Sequence, residues 1–282
     1  MKDFEEKIRK YYATFESLWG YKFFMWDAKH FGYYPDKIAN IPERKALELQ
    51  QELIAKKLDL KSGQRVLDAG CGRGVTACFI AKKYGVHVTG IDLLDFEVTA
   101  ARKRAARLGL GGKVKFEIMD FSNLDFSEGY FDSIYTSETL SHAPNLGKVL
   151  CEFYRVLKPG GRLVLAEYTL AQDGQFSGHE MKSIDTIIQG SAMFGLKTFR
   201  HNTFPEILRS VGFDQVHQEN ITDNFFPSLY RLYRKSRWVY RVIKLLKLER
   251  WFFNAGVPTR LVPLVKKDLF RYCIFTAIKP FS

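Results

Sequence analysis

The fold is decided by the stretch Val66-Leu67-Asp68-Ala69-Gly70-Cys71-Gly72-Arg73-Gly74. Its first residues continue a short apolar run from Arg65 and predict a buried strand, and the residues from Val75 onward have helical periodicity. Glycines between a strand and a helix let the backbone pass close to a ligand. The stretch therefore predicts a nucleotide-binding turn at the carboxyl end of the first strand of a sheet.

The pattern of strands and helices continues on the carboxyl side of this turn. Short β-branched runs alternate with helical segments over residues 64–167, and this alternation is typical of βαβ units. It predicts an α/β fold whose parallel sheet is covered by helices on both faces. Strands are expected at 65–68, 86–92, 114–119, 133–136, 162–167, 213–219 and 272–278, and helices at 75–83, 96–108, 146–157 and 204–211.

The remaining segments divide the chain into three parts. Residues 1–60 are helical and rich in aromatic side chains, and we expect them to form a lid over the α/β domain at 61–282. Within that domain, residues 225–267 interrupt the pattern as a basic helical insertion. We expect this insertion to cover a second, acceptor-binding site.

Acidic residues at three strand ends restrict the ligand of the turn. Val75 stands where a dinucleotide-binding motif requires Gly or Ala, and Asp68 would repel a pyrophosphate. Asp68 instead suits a ligand with an ammonium or sulfonium group. Asp92, twenty residues after Gly72, can accept both hydroxyls of a ribose, and Asp120 can face an adenine amino group. A domain that binds another nucleotide stays open as an alternative.

Residues 64–167 resemble the class I methyltransferases that depend on S-adenosylmethionine (SAM), and the resemblance is almost continuous along this stretch. The resemblance implies a Rossmann-like, seven-stranded mixed sheet of order 3-2-1-4-5-7-6, with SAM as cofactor and S-adenosylhomocysteine as product. Carried over residue by residue, it assigns the cofactor site to Asp68, Gly70, Gly72, Gly74, Asp92, Leu93, Asp120, Phe121 and Thr136.

A second string crosses the end of the fourth predicted strand. Glu138-x-x-x-His142-Ala143-Pro144 is similar to the sterol 24-C-methyltransferases and to the tocopherol and prenyl C-methyltransferases. The resemblance implies methyl transfer to a carbon of a lipophilic isoprenoid, sterol-like or prenylated acceptor, through a carbocation and without a metal. Glu138 and His142 would be the catalytic residues, as base and partner. The implied substrate-binding residues are Tyr11, Tyr12, Trp19, Trp26, His30 and Tyr33.

Two other reaction classes stay open, and a third is disfavoured. The same fold serves O- or N-methyltransferases of small molecules, in which His142 would be the base, and lipid cyclopropane synthases, which share the carbocation chemistry. A nucleic-acid methyltransferase would explain a basic chain, but neither an Asn/Asp-Pro-Pro-Tyr motif nor a Pro-Cys pair is present. We therefore expect no nucleic-acid partner.

Charge is concentrated near the end of the chain. The net charge is +12, and residues 229–272 contain twelve Lys or Arg against two acidic residues, a local net of +10. Residues 229–253, the basic segment, interleave these cations with large rings, which favours peripheral contact with an anionic membrane surface. Neither a long apolar span nor a cysteine pattern for disulfides or zinc is present, so we expect a cytoplasmic protein. A homo-oligomer stays open.

Overall fold

The computed structural model describes residues 2–36, 40–249 and 252–281. They contain one sheet of seven strands, namely β1 Arg65–Ala69, β2 His87–Asp92, β3 Val114–Ile118, β4 Phe131–Ser137, β5 Leu157–Leu170, β6 Asp214–Asn220 and β7 Phe270–Ile278. The order is β3-β2-β1-β4-β5-β7-β6, which confirms the predicted fold class. Strands β1 to β5 are parallel, and β7 runs antiparallel to its neighbours β5 and β6.

Helices cover both faces of the sheet because the strands are apolar on both sides. Adjacent residues of β1 show this: Val66 packs into one buried cluster and Leu67 into the other. The helices are α1 Lys2–Tyr12, α2 Phe15–Met25, α3 Glu43–Leu58, α4 Val75–Tyr84, α5 Asp95–Arg107, α6 Leu146–Val156, α7 Gly178–Gly190, α8 Phe204–Val211, α9 Thr222–Leu245 and α10 Val257–Lys266. The first cluster includes side chains from α3, α4, α5, α7, α9 and α10, and the second includes side chains from α6 and α8.

The glycine-rich turn joins β1 to α4 as the sequence predicts. Gly70 and Gly74 have φ values of 86° and 67°, in the left-handed region that favours glycine. The backbone N–H groups of Gly70 and Cys71 both donate to the carbonyl oxygen of Ile91, at 2.8 and 2.9 Å. These bonds fix the turn against the end of β2, where the acidic residues of the site begin.

The amino-terminal segment is attached to the rest of the chain by charged side chains. Asp27 forms ion pairs with Arg73, in the glycine-rich turn, and with Arg104 on α5. At the other end, the Glu16 carboxylate accepts the backbone N–H groups of Asn254 and Ala255, each at 2.7 Å. The segment therefore spans from the carboxyl edge of the sheet to the turn that precedes α10.

Candidate active site

A cavity of about 110 Å³ lies at the carboxyl ends of β1, β2 and β3, and we call it the cofactor cavity. Ligands of open α/β sheets bind at this edge. Its walls come from the glycine-rich turn, from the strand ends and from the segment 27–30. Seven of the predicted cofactor residues line it, namely Asp68, Gly70, Gly72, Asp92, Leu93, Asp120 and Phe121.

Asp92 is held rigidly by backbone donors. Its Oδ2 accepts the N–H of Gly72 at 2.9 Å, and its Oδ1 accepts the N–H of Leu94 at 3.0 Å. Burial raises the pKa of this carboxyl, and the cation of Lys29 and the two N–H groups oppose that rise. Each carboxylate oxygen can accept a second hydrogen bond, so the side chain can still bind a pair of hydroxyls.

A second cavity, of about 270 Å³, is the acceptor cavity. It is enclosed by α1, α2, α7, α9 and α10 on one side and by the ends of β5 and β7 on the other. Large apolar side chains dominate its lining, including Met25, Phe31, Ile187, Met193, Leu229, Leu261 and Phe270. A mostly apolar cavity with a few polar groups is the usual form of a site for a lipophilic ligand.

The two cavities meet at four residues. Tyr12, Lys29, Glu138 and His142 line both the cofactor cavity and the acceptor cavity. A group transferred from a cofactor to an acceptor has to cross this junction. The side chains at the junction are therefore the candidates for chemistry.

Glu138 is the buried carboxyl at the junction. Its backbone has φ 56°, an uncommon value for a residue other than glycine, and its N–H donates to the carbonyl oxygen of Ala166 at 2.8 Å. Oε1 accepts the N–H of Phe31 at 2.8 Å and the hydroxyl of Tyr272 at 3.0 Å, and Oε2 accepts the hydroxyl of Tyr168. Burial raises the pKa of Glu138 to about 7, although these three donors lower it.

His142 faces the same junction as a neutral imidazole. Its Nδ1 lies 2.9 Å from the carbonyl oxygen of Ala192 and must donate, so Nε2 accepts the hydroxyl of Tyr12 at 3.0 Å. Burial lowers the pKa of His142 to about 4. The ring therefore positions Tyr12 at the junction, and neither of its nitrogens is left without a hydrogen-bond partner.

Two predicted cofactor residues do not line the cofactor cavity. Thr136 is fully buried on the opposite face of β4, because side chains alternate along a strand and its neighbours Tyr135 and Ser137 face the cavity. Gly74 packs against Phe116 instead, and an added Cβ would lie 2.4 Å from Cζ of that ring.

The predicted substrate-binding residues are divided among several places. Tyr11 and Tyr12 line the acceptor cavity. His30 lines the cofactor cavity instead, and its Nδ1 donates to the carbonyl oxygen of Phe31. Trp26 is 46% exposed and Tyr33 packs against the apolar core, so both lie outside the two cavities. Trp19 belongs to α2, and its side chain lies outside the described residues.

Four contributors to the junction were missed in the sequence. Tyr168 and Tyr272 are paired across β5 and β7, which brings both hydroxyls to Glu138. The backbone of Phe31 and the side chain of Lys29 come from the amino-terminal segment, and Lys29 forms an ion pair with Glu97 at 2.9 Å. These residues are far from Glu138 in sequence, and the aromatic content of the strands is a signal for the two tyrosines only.

Glu167 is a second buried carboxyl beside the junction. Its Oε1 accepts the N–H groups of Thr139 and Leu140 at 2.7 and 2.6 Å, which fixes the turn after Glu138. Burial raises the pKa of Glu167 from 4.5 to about 8. The folded chain therefore retains a proton that the unfolded chain releases, so this group's contribution to stability is lost as the pH rises from about 4.5 to about 8.

We expect Glu167→Gln to remove the loss of stability at rising pH, because the amide carries no charge and its oxygen still accepts both N–H groups. The free energy of unfolding, measured in urea at several pH values, should increasingly favour the variant as the pH rises towards 8. Glu206→Gln on α8, which changes an exposed carboxylate, is the matched control. Parallel pH curves for wild type and Glu167→Gln would contradict the burial-raised pKa.

The cofactor cavity fits SAM, the cofactor that the sequence implies. Oδ2 of Asp68 is buried and has no hydrogen-bond partner among the described residues, and burial raises the pKa of this carboxyl to about 7. A buried carboxylate oxygen without a donor is costly, and the ammonium group of SAM can supply that donor. Asp92 and Asp120 lie in the same cavity, where the ribose hydroxyls and the adenine amino group require acceptors.

Comparisons with known proteins agree with this site. A family model described as a methyltransferase domain matches residues 60–224, more than half of the chain. The SAM-dependent Diels-Alderase iccD of Talaromyces variabilis is 31% identical, over 98% of this chain and 96% of its own. The sterol 24-C-methyltransferase of Saccharomyces cerevisiae is 28% identical, over 95% of this chain and 69% of its own.

A solved structure shares the fold. The geranyl diphosphate C-methyltransferase of Streptomyces coelicolor superposes with a TM-score of 0.75 at 18% identity, covering 98% of this chain and 97% of its own. That structure contains S-adenosylhomocysteine. Together with the family match over the glycine-rich turn and the cofactor cavity, these findings establish that the chain belongs to the SAM-dependent methyltransferases.

Proposed function

We propose that this enzyme transfers the methyl group of SAM to a carbon of a lipophilic isoprenoid, sterol-like or prenylated acceptor. The observation that carries the proposal is the position of Glu138, a buried carboxyl at the point where the cofactor cavity meets an apolar cavity. Methylation of an alkene carbon requires a base that removes a proton and aromatic faces that stabilise the cation. The junction contains both.

The residues of the junction suit the chemistry of a carbon acceptor. Bound SAM supplies an electrophilic methyl group, and an alkene carbon that gains it leaves positive charge on the neighbouring carbon. The rings of Tyr12, Phe31 and Tyr168 line the acceptor cavity and can stabilise that charge through their π faces. The carboxylate of Glu138 then accepts the proton whose loss restores the double bond, which leaves a methylated alkene and S-adenosylhomocysteine.

The pH dependence of the rate tests the part of Glu138. A base works only when it is ionised, and the pKa of Glu138 is raised to about 7 by burial. We expect kcat/KM for the acceptor to fall about tenfold for each pH unit below 7 and to level off above it. The measurement is the initial rate at low acceptor concentration. A flat profile across this range would show that no group of this pKa acts as the base.

The acceptor class is tested with a panel. The enzyme is incubated with methyl-labelled SAM and polyprenyl, sterol and quinone acceptors, together with small phenols and amines, and products are identified by mass spectrometry. We expect label only in lipophilic products. Label confined to phenols or amines would overturn the acceptor class and favour an O- or N-methyltransferase. With a trideuterated methyl group on SAM, a product that keeps only two of the three deuterium atoms would instead indicate cyclopropane formation, because ring closure removes one from the transferred methyl group.

A second candidate is cycloaddition of a lipophilic polyene. It is favoured by the similarity to a SAM-dependent Diels-Alderase across nearly the whole of both chains. The apolar acceptor cavity can hold a polyene in a folded conformation with its reacting carbons close together. The two candidates differ in one observable, because a cycloaddition product has the mass of its substrate and a methylated product does not.

The proposal includes a membrane as the source of the acceptor. Isoprenoid lipids partition into bilayers, so an enzyme that uses them gains from peripheral contact. No helix in the described part of the chain is long and apolar enough to cross a membrane. The contact we propose is therefore at the surface, through the basic segment, as the sequence predicts.

A further inference from the structure

One face of α9 is apolar and exposed. Five large side chains on it, Trp238, Val239, Val242, Leu245 and Leu246 at its end, are 56–81% exposed. At about 100° per residue they fall within an arc of about 120° on the helix. Ile243, which follows Val239 by about 40° around the helix, is buried. The exposed apolar face of α9 therefore ends at Val239, beside the core.

Cations border this face. Arg234, Arg237, Arg241, Lys244 and Lys247 are all exposed, and none of them forms an ion pair within the described residues. The guanidinium groups of Arg237 and Arg241 lie 5.4 and 4.5 Å from the centre of the Trp238 ring. Exposed apolar side chains beside unneutralised cations are complementary to a bilayer with anionic headgroups.

The same face reaches the acceptor cavity. Val239 is 56% exposed and also lines that cavity. Lys235, one turn earlier, is exposed and lines it too, whereas Leu229, Leu232 and Ser236 line it from the inner side of the helix. Val239 thus stands where the exposed apolar face and the cavity wall meet.

We infer that α9 docks on an anionic bilayer and that the acceptor cavity opens into that bilayer beside Val239, so that the lipid enters without crossing water. The inference rests on the proposed function for the identity of the lipid. It adds the apolar face of α9 as the surface that inserts into the bilayer, and Val239 as the place where the lipid enters the acceptor cavity. A lipid that slides along the apolar face of α9 remains in an apolar environment from the membrane to the junction at Glu138.

Docking on a bilayer is tested by vesicle sedimentation, which does not depend on catalytic activity. The full-length protein is mixed with phosphatidylcholine vesicles, with or without phosphatidylglycerol, and sedimented at low and at high salt. We expect wild type to sediment with the anionic vesicles at low salt, and Arg241→Glu with Lys244→Glu to weaken this binding about tenfold or more. Lys103→Glu with Arg107→Glu on α5 changes the net charge equally at exposed positions and should bind like wild type.

Insertion of the apolar face has its own signal. Vesicles with brominated acyl chains should quench tryptophan emission of wild type, and Trp238→Phe should lose most of that quenching while it still sediments. Wild type that stays in the supernatant, or that binds a duplex RNA at the same salt in preference to anionic vesicles, would overturn the docking surface.

The route is tested with dansyl-farnesol as a lipophilic probe. We expect wild type to take up the probe from anionic vesicles. Val239→Trp places a larger side chain at the opening of the acceptor cavity, so this variant should take up the probe several-fold more slowly while it still sediments with the vesicles. Equal uptake by both proteins would overturn the route. If wild type docks and takes up the probe but methylates no lipophilic acceptor, the proposed function fails and the docking surface stands.

Discussion

Glu138→Gln is expected to lower kcat by about 10²- to 10⁴-fold, the usual contribution of a positioned general base. Glutamine retains an oxygen for the N–H of Phe31 and the hydroxyl of Tyr272, so the junction keeps its shape. It has no basic oxygen that could take a proton from the methylated acceptor. The rate that remains should also lose its dependence on pH near 7, because the titrating group is gone.

The measurement is turnover at saturating SAM and acceptor, together with SAM affinity by calorimetry. We expect SAM affinity to change far less than kcat, since the carboxylates of the cofactor cavity are intact. Glu206→Gln, an exposed change on α8, is the matched control and should leave both quantities unaltered. A Glu138→Gln enzyme that turns over at the wild-type rate would exclude Glu138 as the base.

Asp92→Ala is expected to weaken SAM binding by about 10²-fold, because hydrogen bonds to a charged group contribute about 1.5–3 kcal/mol each. The substitution removes the acceptor for the ribose hydroxyls. It also leaves the N–H groups of Gly72 and Leu94 without their partner, so the glycine-rich turn loses part of its support.

Calorimetric titration with SAM and with S-adenosylhomocysteine measures the change. Both ligands contain the ribose, so both affinities should fall together. Asp95→Ala, three residues away and exposed at the start of α5, is the control and should bind SAM like wild type. Wild-type affinity in Asp92→Ala would mean that the ribose is held elsewhere.

The part of the site that follows from local sequence is the cofactor cavity. A strand, a glycine-rich turn and a helix must place Asp68 at a strand end, and a parallel neighbour places Asp92 beside it. These relations depend on short stretches of chain and on the alternation that defines the fold. The order of the seven strands came from the family resemblance, and the observed sheet agrees with it.

The surroundings of Glu138 could not be predicted in the same way. Tyr168 and Tyr272 reach it together only because β5 and β7 pair in one register, and a shift of β7 by one residue would turn Tyr272 to the other face. Thr136 was assigned to the wrong face of β4 for the same reason, since the sequence did not specify which alternate residues face the cavity. The positions of the aromatic residues near the amino terminus depend on how α1 and α2 pack beside the acceptor cavity, which no local pattern encodes.

Methyl transfer to carbon is tested most directly with SAM that has a deuterated methyl group. The enzyme is given a lipophilic polyene acceptor, and the product is analysed by mass spectrometry and carbon NMR. We expect a product that is heavier by the labelled methyl group, with the label on carbon, and its loss in Glu138→Gln. A product with label on oxygen or nitrogen, or an unlabelled isomer with the mass of the substrate, would contradict carbon methylation.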